Sequence, residues 1–112
     1  MIEKVILDYL LGKELNAFME RPEKKPTGEY VLVEKTGSVS ANLLTTSTIA
    51  VQSYSDSLYG AASLNEQVKA LMLQADKEIP ISSCKLNTDT NFTDTATKQY
   101  RYQAVFEVTH KE

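Results

Sequence analysis

The hydrophobic pattern is clearest over Lys98 to His110, KQYRYQAVFEVTH. Read two by two, Tyr100, Tyr102, Ala104, Phe106 and Val108 fall on one side. Arg101, Gln103, Val105, Glu107 and Thr109 fall on the other. Successive strand side chains point to opposite faces, so this is a strand with one apolar and one mostly polar face. Aromatic and β-branched residues fill it, and neither Gly nor Pro interrupts it. A strand with one wet face belongs to an antiparallel or mixed sheet, and its apolar side needs a cover.

Two helical stripes can supply that cover. Ile2, Val5, Ile6, Tyr9 and Leu10 recur at helical spacing, with Glu3 favourable near the start and Gly12-Lys13 as the predicted stop. Leu7 and Leu11 widen this stripe, which fits core burial first and a subunit contact second. The second stripe is Leu58, Ala61, Leu64, Val68, Leu71, Met72 and Ala75, predicted to run to about Lys77 before Pro80. Its start has two candidates, the Ser55-Asp56-Ser57 cluster and a capping box of Ser63 with Glu66.

Between and beyond the helices the period is two. Leu15 to Glu20 reads as a short strand, Glu29 to Lys35 as a second, Leu44 to Tyr54 as a third and Ile81 to Phe92 as a fourth. Arg21 to Gly28, with two prolines and a glycine, is an exposed connection. Thr36-Gly37-Ser38 reads as a turn, and Val39 to Leu43 as an adaptable loop. The order is α-β-β-β-α-β-β. With helices for one face only, it predicts an α+β two-layer sandwich, a mostly antiparallel sheet of about five strands with two helices on one face.

Composition narrows the picture. At 112 residues the chain reads as one domain, residues 1–112, able to bury roughly 65% of its unfolded surface. A net charge of −3 shows no basic stripe for nucleic acid. Cys84 is the only cysteine, so no internal disulfide forms. No apolar run approaches the ~20 residues that span a bilayer, and the opening segment does not read as a signal peptide. A cytoplasmic site of synthesis is the expectation.

Candidate chemistry is thin. Asn87, Asp89 and Asn91 have the opening spacing of a calcium loop, but Phe92 replaces its glycine and Lys98 its bidentate glutamate. Asn91-Phe92-Thr93 matches a glycosylation sequon without a secretory signal. A Cys84–His110 nucleophile and base pair is weighed against a small buried hydrophobe and a near-terminal histidine, and the bland reading is preferred. Four glycines build no phosphate loop. Metal and cofactor are therefore expected to be absent and enzymatic activity is not expected. Asp94, Lys98, Tyr100 and Arg101 mix charge with aromatics at the start of the last strand, which suits a solvated strand end or, equally, a subunit contact.

Several stretches taken together, EKVILDYLL, ERPEKKPTGEYVLVEKTG, TIAVQSYSDSLYGAASLNEQVKALM and CKLNTDTNFTDTATKQYRYQAVFEVTH, span nearly the whole chain. They resemble the small tail-terminator (tail completion, head–tail joining) proteins of long-tailed phages and of prophages in Gram-positive bacteria. The resemblance implies a virion structural protein, assembled in the bacterial cytoplasm and placed at the tail–neck junction. It implies a ring of copies, commonly a hexamer, on the last ring of the tail tube protein. That ring stops polymerisation and meets the head–tail connector, while genome DNA passes through without specific binding.

From position alone, the partner-facing surfaces are expected on two loops, Arg21, Glu23, Lys24 and Lys25 in the first and Ser38, Ser40 and Asn42 in the second. The alternatives are another neck component, such as a head-completion or stopper ring, or a small cytoplasmic ligand-binding domain or enzyme.

Overall fold

A computed structural model describes residues 1–24 and 28–111. The element order is α1 (Ile2–Gly12), β1 (Ala17–Phe18), β2 (Tyr30–Ala41), β3 (Leu44–Ser55), α2 (Leu58–Leu73), β4 (Ser83–Asn91) and β5 (Tyr100–Lys111). The strands form one sheet in the order β1-β2-β3-β5-β4, antiparallel throughout except for the parallel β1–β2 pair. Both helices pack on one face. The fold is the α+β sandwich that the residue pattern predicts.

The register assigns every strand residue to a face. Val31, Val33, Ile49, Val51, Ala104, Phe106 and Val108 lie on the inner face and are essentially fully buried beneath Ile6, Leu10, Leu64, Val68 and Met72. At about 1.5–3 kcal/mol for each large aliphatic side chain removed from water, this seam is the main stabilising element. The Thr- and Ser-rich start of β3 continues it in polar form. Ser47 is buried and its Oγ lies 2.9 Å from His110 Nε2, while Ser40 and Thr45 hydroxyls meet at 2.9 Å.

Several boundaries differ from the sequence expectation. The strand expected at 15–20 shrinks to Ala17–Phe18. Leu15 N–H still bonds back to Leu10 O, so the chain is busy closing α1 until Asn16. Gly12 ends the helix as its last residue, but the left-handed residue that turns the chain is Glu14, at φ 67°. The Ser57 side chain, not Ser63, caps α2 by accepting from Gly60 N–H at 3.0 Å. A Cβ on Gly60 would run into the Ser55 hydroxyl, which accounts for a glycine in a helical first turn. That helix stops at Leu73, and Ala75–Lys77 form a separate 3-10 turn.

The largest correction concerns residues 36–43. No turn forms at Thr36-Gly37-Ser38, and 39–43 is not a loop. The segment Val39-Ser40-Ala41 alternates as a strand does and finds ladder partners in Thr46, Thr45 and Leu44, so β2 runs on to Ala41. Thr36 is absorbed as a bulge between Lys35 and Gly37, where two residues on one strand face one on its neighbour. Ser38 and Ser40 therefore stand on a strand, and of the three residues expected to face a partner here only Asn42 lies in the turn. The result is a long β2–β3 hairpin within a molecule measuring 45 × 25 × 24 Å overall.

Candidate interaction surfaces

Asn42 and Leu43 form the two-residue tip of the hairpin, at φ 54° and 67°. A two-residue hairpin with both central residues left-handed is the type I′ geometry, which suits Asn at the first position and favours Gly at the second. Leu43 holds that second position against the roughly 1–2 kcal/mol that a Cβ costs in this conformation. Its side chain is 81% exposed, and Val39 beside it is 73% exposed. From Thr36 to Ser55 the chain carries no Asp, Glu, Lys, Arg or His, although 24% of the sequence is charged. The hairpin is thus polar with an apolar tip; it stays within the sheet, since β5 pairs with β3 as far as Leu44–Lys111 and sets Glu107, His110 and Lys111 beside it.

At the opposite end of the sheet, a row of side chains crosses four strands on the outer face and ends at Phe92, just past β4. Phe18 meets Tyr30 edge-on at 6.2 Å, and Tyr30 stacks on Tyr54 at 4.7 Å with 2° between the ring planes. Arg101 Nη1 donates to the Tyr54 hydroxyl at 3.1 Å, and its guanidinium lies 5.7 Å from the Tyr54 ring and 5.9 Å from Phe92. Arg21 approaches Tyr54 from the connection at 5.8 Å. Tyr54 in turn donates to Gln52 Oε1 at 2.8 Å. Burial, and then the neighbouring Tyr54, push the Tyr30 pKa above its usual value; Arg21 opposes the rise. The aromatic rings were visible in the sequence. Their alignment appears only once Tyr30, Tyr54 and Arg101 fall in one register.

The four residues at the start of the last strand do not share one surface. Arg101 belongs to the outer-face row, while Tyr100 is opposite Ser55 on the inner face. Asp94 serves its own turn, its Oδ1 accepting from Ala96 N–H at 3.0 Å and Thr97 N–H at 3.4 Å. Those bonds hold its carboxyl below the usual carboxylate range. Lys98 is exposed in the same turn at φ 55°. In the first connection Arg21, Glu23 and Lys24 are exposed, and Lys25 lies outside the described residues with Pro26 and Thr27.

A third cluster joins α2 to the edge strand β4. Asn65, 1% exposed, donates from Nδ2 to Asp89 Oδ1 at 2.8 Å, and Lys69 Nζ reaches Asp89 Oδ2 at 2.6 Å. Lys69 also pairs with Glu66 at 2.8 Å. Burial works to raise the Asp89 pKa, but the bonds from Lys69 and Asn65 outweigh it and the net shift is downward. The bonds to Asp89 and then Glu66 raise the Lys69 pKa. Asn65 and Lys69 sit one helical turn apart, so both reach the same carboxylate.

Asp89 is therefore held by the protein itself, and Asn87 occupies a bulge on an extended strand, unlike the wrapped loop a calcium ion needs. Burial pushes the Cys84 thiol up to about 11, which keeps it protonated at neutral pH and a poor nucleophile. Among the described residues no group of three or more His, Cys, Asp or Glu side chains is placed to hold a metal ion, and no helix is long and apolar enough to cross a membrane. Compared with known proteins, the chain matches no family model and no curated protein.

Proposed function

We propose that this chain is a structural subunit of a long-tailed phage or prophage, a tail terminator that rings the head-proximal end of the tail tube. The ring stops tube polymerisation and offers its other side to the head–tail connector. The genome passes through its opening without specific binding, and the site of action is the tail–neck junction of the virion. The sequence resemblance suggests this role. The observation that carries it furthest is Leu43, an apolar side chain kept in a strained left-handed conformation at the exposed tip of the β2–β3 hairpin.

Backbone strain that brings no packing gain within the monomer is a mark of a functional position. An exposed leucine at the tip of a hairpin suits insertion into a groove between tube subunits, where burial would return about 1.5–3 kcal/mol per subunit. The slab behind the tip suits lateral packing of copies. A head-to-tail contact that closes by rotation makes a ring rather than a filament.

The test is addition of the purified chain to polymerising tube protein. Tubes of restricted length with the chain at one end are expected from a terminator, as are overlong, headless tails when its gene is deleted. Binding to capsids but not to tubes would assign it to another neck ring. Normal tails attached to normal capsids in the deletion would end the reading.

A further inference from the structure

The sheet leaves two strand edges open, and their geometry is complementary. On one side β1 covers β2 only at Val31 and Leu32, so among the described residues Val33–Ala41 has no strand neighbour there. On the other side β4, Ser83–Asn91, is the last strand. The two free segments have the same length, nine residues. They run antiparallel, because β2, β3, β5 and β4 alternate in direction. A second copy can therefore lay its β2 against β4 and continue the same antiparallel pattern.

Backbone polarity agrees. Val31 N–H bonds outward to Asn16 O, so the same-phase residues Val33 and Lys35 turn their amides toward the free edge. Phe92 N–H bonds inward to Arg101 O, so the alternate residues Asn91 and Asp89 turn theirs outward. The second copy's β1 sets a stop, and abutting Asn91 against it places Asn91 opposite Val33, Thr90 opposite Glu34 and Asp89 opposite Lys35. In that register the outward amides face one another and inner-face residues meet inner-face residues; Asp89, bonded within its own copy to Lys69 and Asn65, comes opposite Lys35, which lies 3.9 Å from Glu3. No like charges stand opposite.

Protection of the edges is uneven. Natural edge strands are blunted by charge or proline, yet from Thr36 to Ala41 β2 has neither.

We infer that β2 of one copy pairs edge-to-edge with β4 of the next, in the register Lys35–Asp89, and that this head-to-tail strand pairing closes the ring. The inference rests on the ring reading above and specifies the contact that builds it.

A Cys84→Ser background carrying Glu34→Cys and Thr90→Cys tests the contact. The two new cysteines would face each other across copies at Cα separations that a disulfide spans. Mild oxidation, of the free chain and of tube preparations, is expected to give a ladder of linked oligomers ending at one closed size. Mixing the two single-cysteine variants is expected to give only mixed dimers. Homodimers of the Glu34→Cys chain alone would overturn the register in favour of β2 meeting β2.

Rings seen by native mass spectrometry or negative stain without any cross-link would overturn the edge contact and leave the ring reading intact. Monomer under every condition, tube ends included, would remove both. As a second variant, Ser38→Pro places proline on the exposed edge without touching the core. Unchanged circular dichroism and loss of rings are expected, and rings that persist would refute the pairing.

Discussion

Replacing Leu43 separates the needs of the monomer from those of assembly. At φ 67° the leucine Cβ crowds its own backbone, which costs roughly 1–2 kcal/mol. Leu43→Gly removes that strain but loosens the unfolded chain, returning about 0.5–1 kcal/mol of it. With the side chain 81% exposed, almost no packing is lost. The net expectation is a monomer more stable by about 0.5–1 kcal/mol, a rise of some 2–4 °C in Tm. Leu43→Asn, whose side chain tolerates the left-handed region, is expected to gain about the same.

Assembly should move the other way. Loss of a leucine that buries on docking is worth about 1.5–3 kcal/mol, or roughly tenfold to hundredfold in affinity per subunit. The assays are urea titration of the isolated chain and co-sedimentation with purified tubes. A variant that is destabilised would refute the strain argument. A stabilised variant that sediments with tubes like the wild type would refute the role of the tip.

The remaining predictions concern the body. Asp89→Ala strips the buried Asn65 amide of its partner and leaves Lys69 with only Glu66, so a loss of about 1–3 kcal/mol is expected in urea unfolding at pH 7. The Asp89 pKa is lowered on folding, so its contribution is present above the ordinary carboxylate pKa near 3.8 and fades as pH falls below it. The gap between wild type and Asp89→Ala should therefore narrow in acid, and a gap that is constant down to pH 2 would contradict the tether. Arg101→Ala breaks the bond to Tyr54 and two ring contacts and should cost about 1–3 kcal/mol by thermal unfolding. Arg101→Lys should restore little of it, since an ammonium cannot stack as the planar group does. Ser57→Ala should lower stability by about 1 kcal/mol through loss of the α2 cap, whereas Ser63→Ala, with no capping bond to lose, should stay within about 0.5 kcal/mol.

The sequence by itself determined the order of the elements and most of the residues that face the core, although Leu58 of the second stripe is 44% exposed. Those follow from local geometry: a 3.6-residue period makes the stripe Ile2, Ile6, Tyr9, Leu10, and a two-residue period makes Ala104, Phe106, Val108. Tertiary structure decided which strand lies beside which, and in what register. The Ser- and Thr-rich residues on either side of Asn42 suit a loop or a strand alike, and only pairing with β3 and β5 makes them a hairpin. Asn65 is a polar residue beside Glu66, yet it is buried because α2 lies over Asp89. Tyr30, Tyr54 and Arg101 stand far apart in the chain and become a row only through cross-strand register. Leu43 is an ordinary apolar residue until the tightness of its turn makes it left-handed. Periodicity records the face of an element, whereas neighbours, open edges and strain depend on contacts between segments distant in sequence.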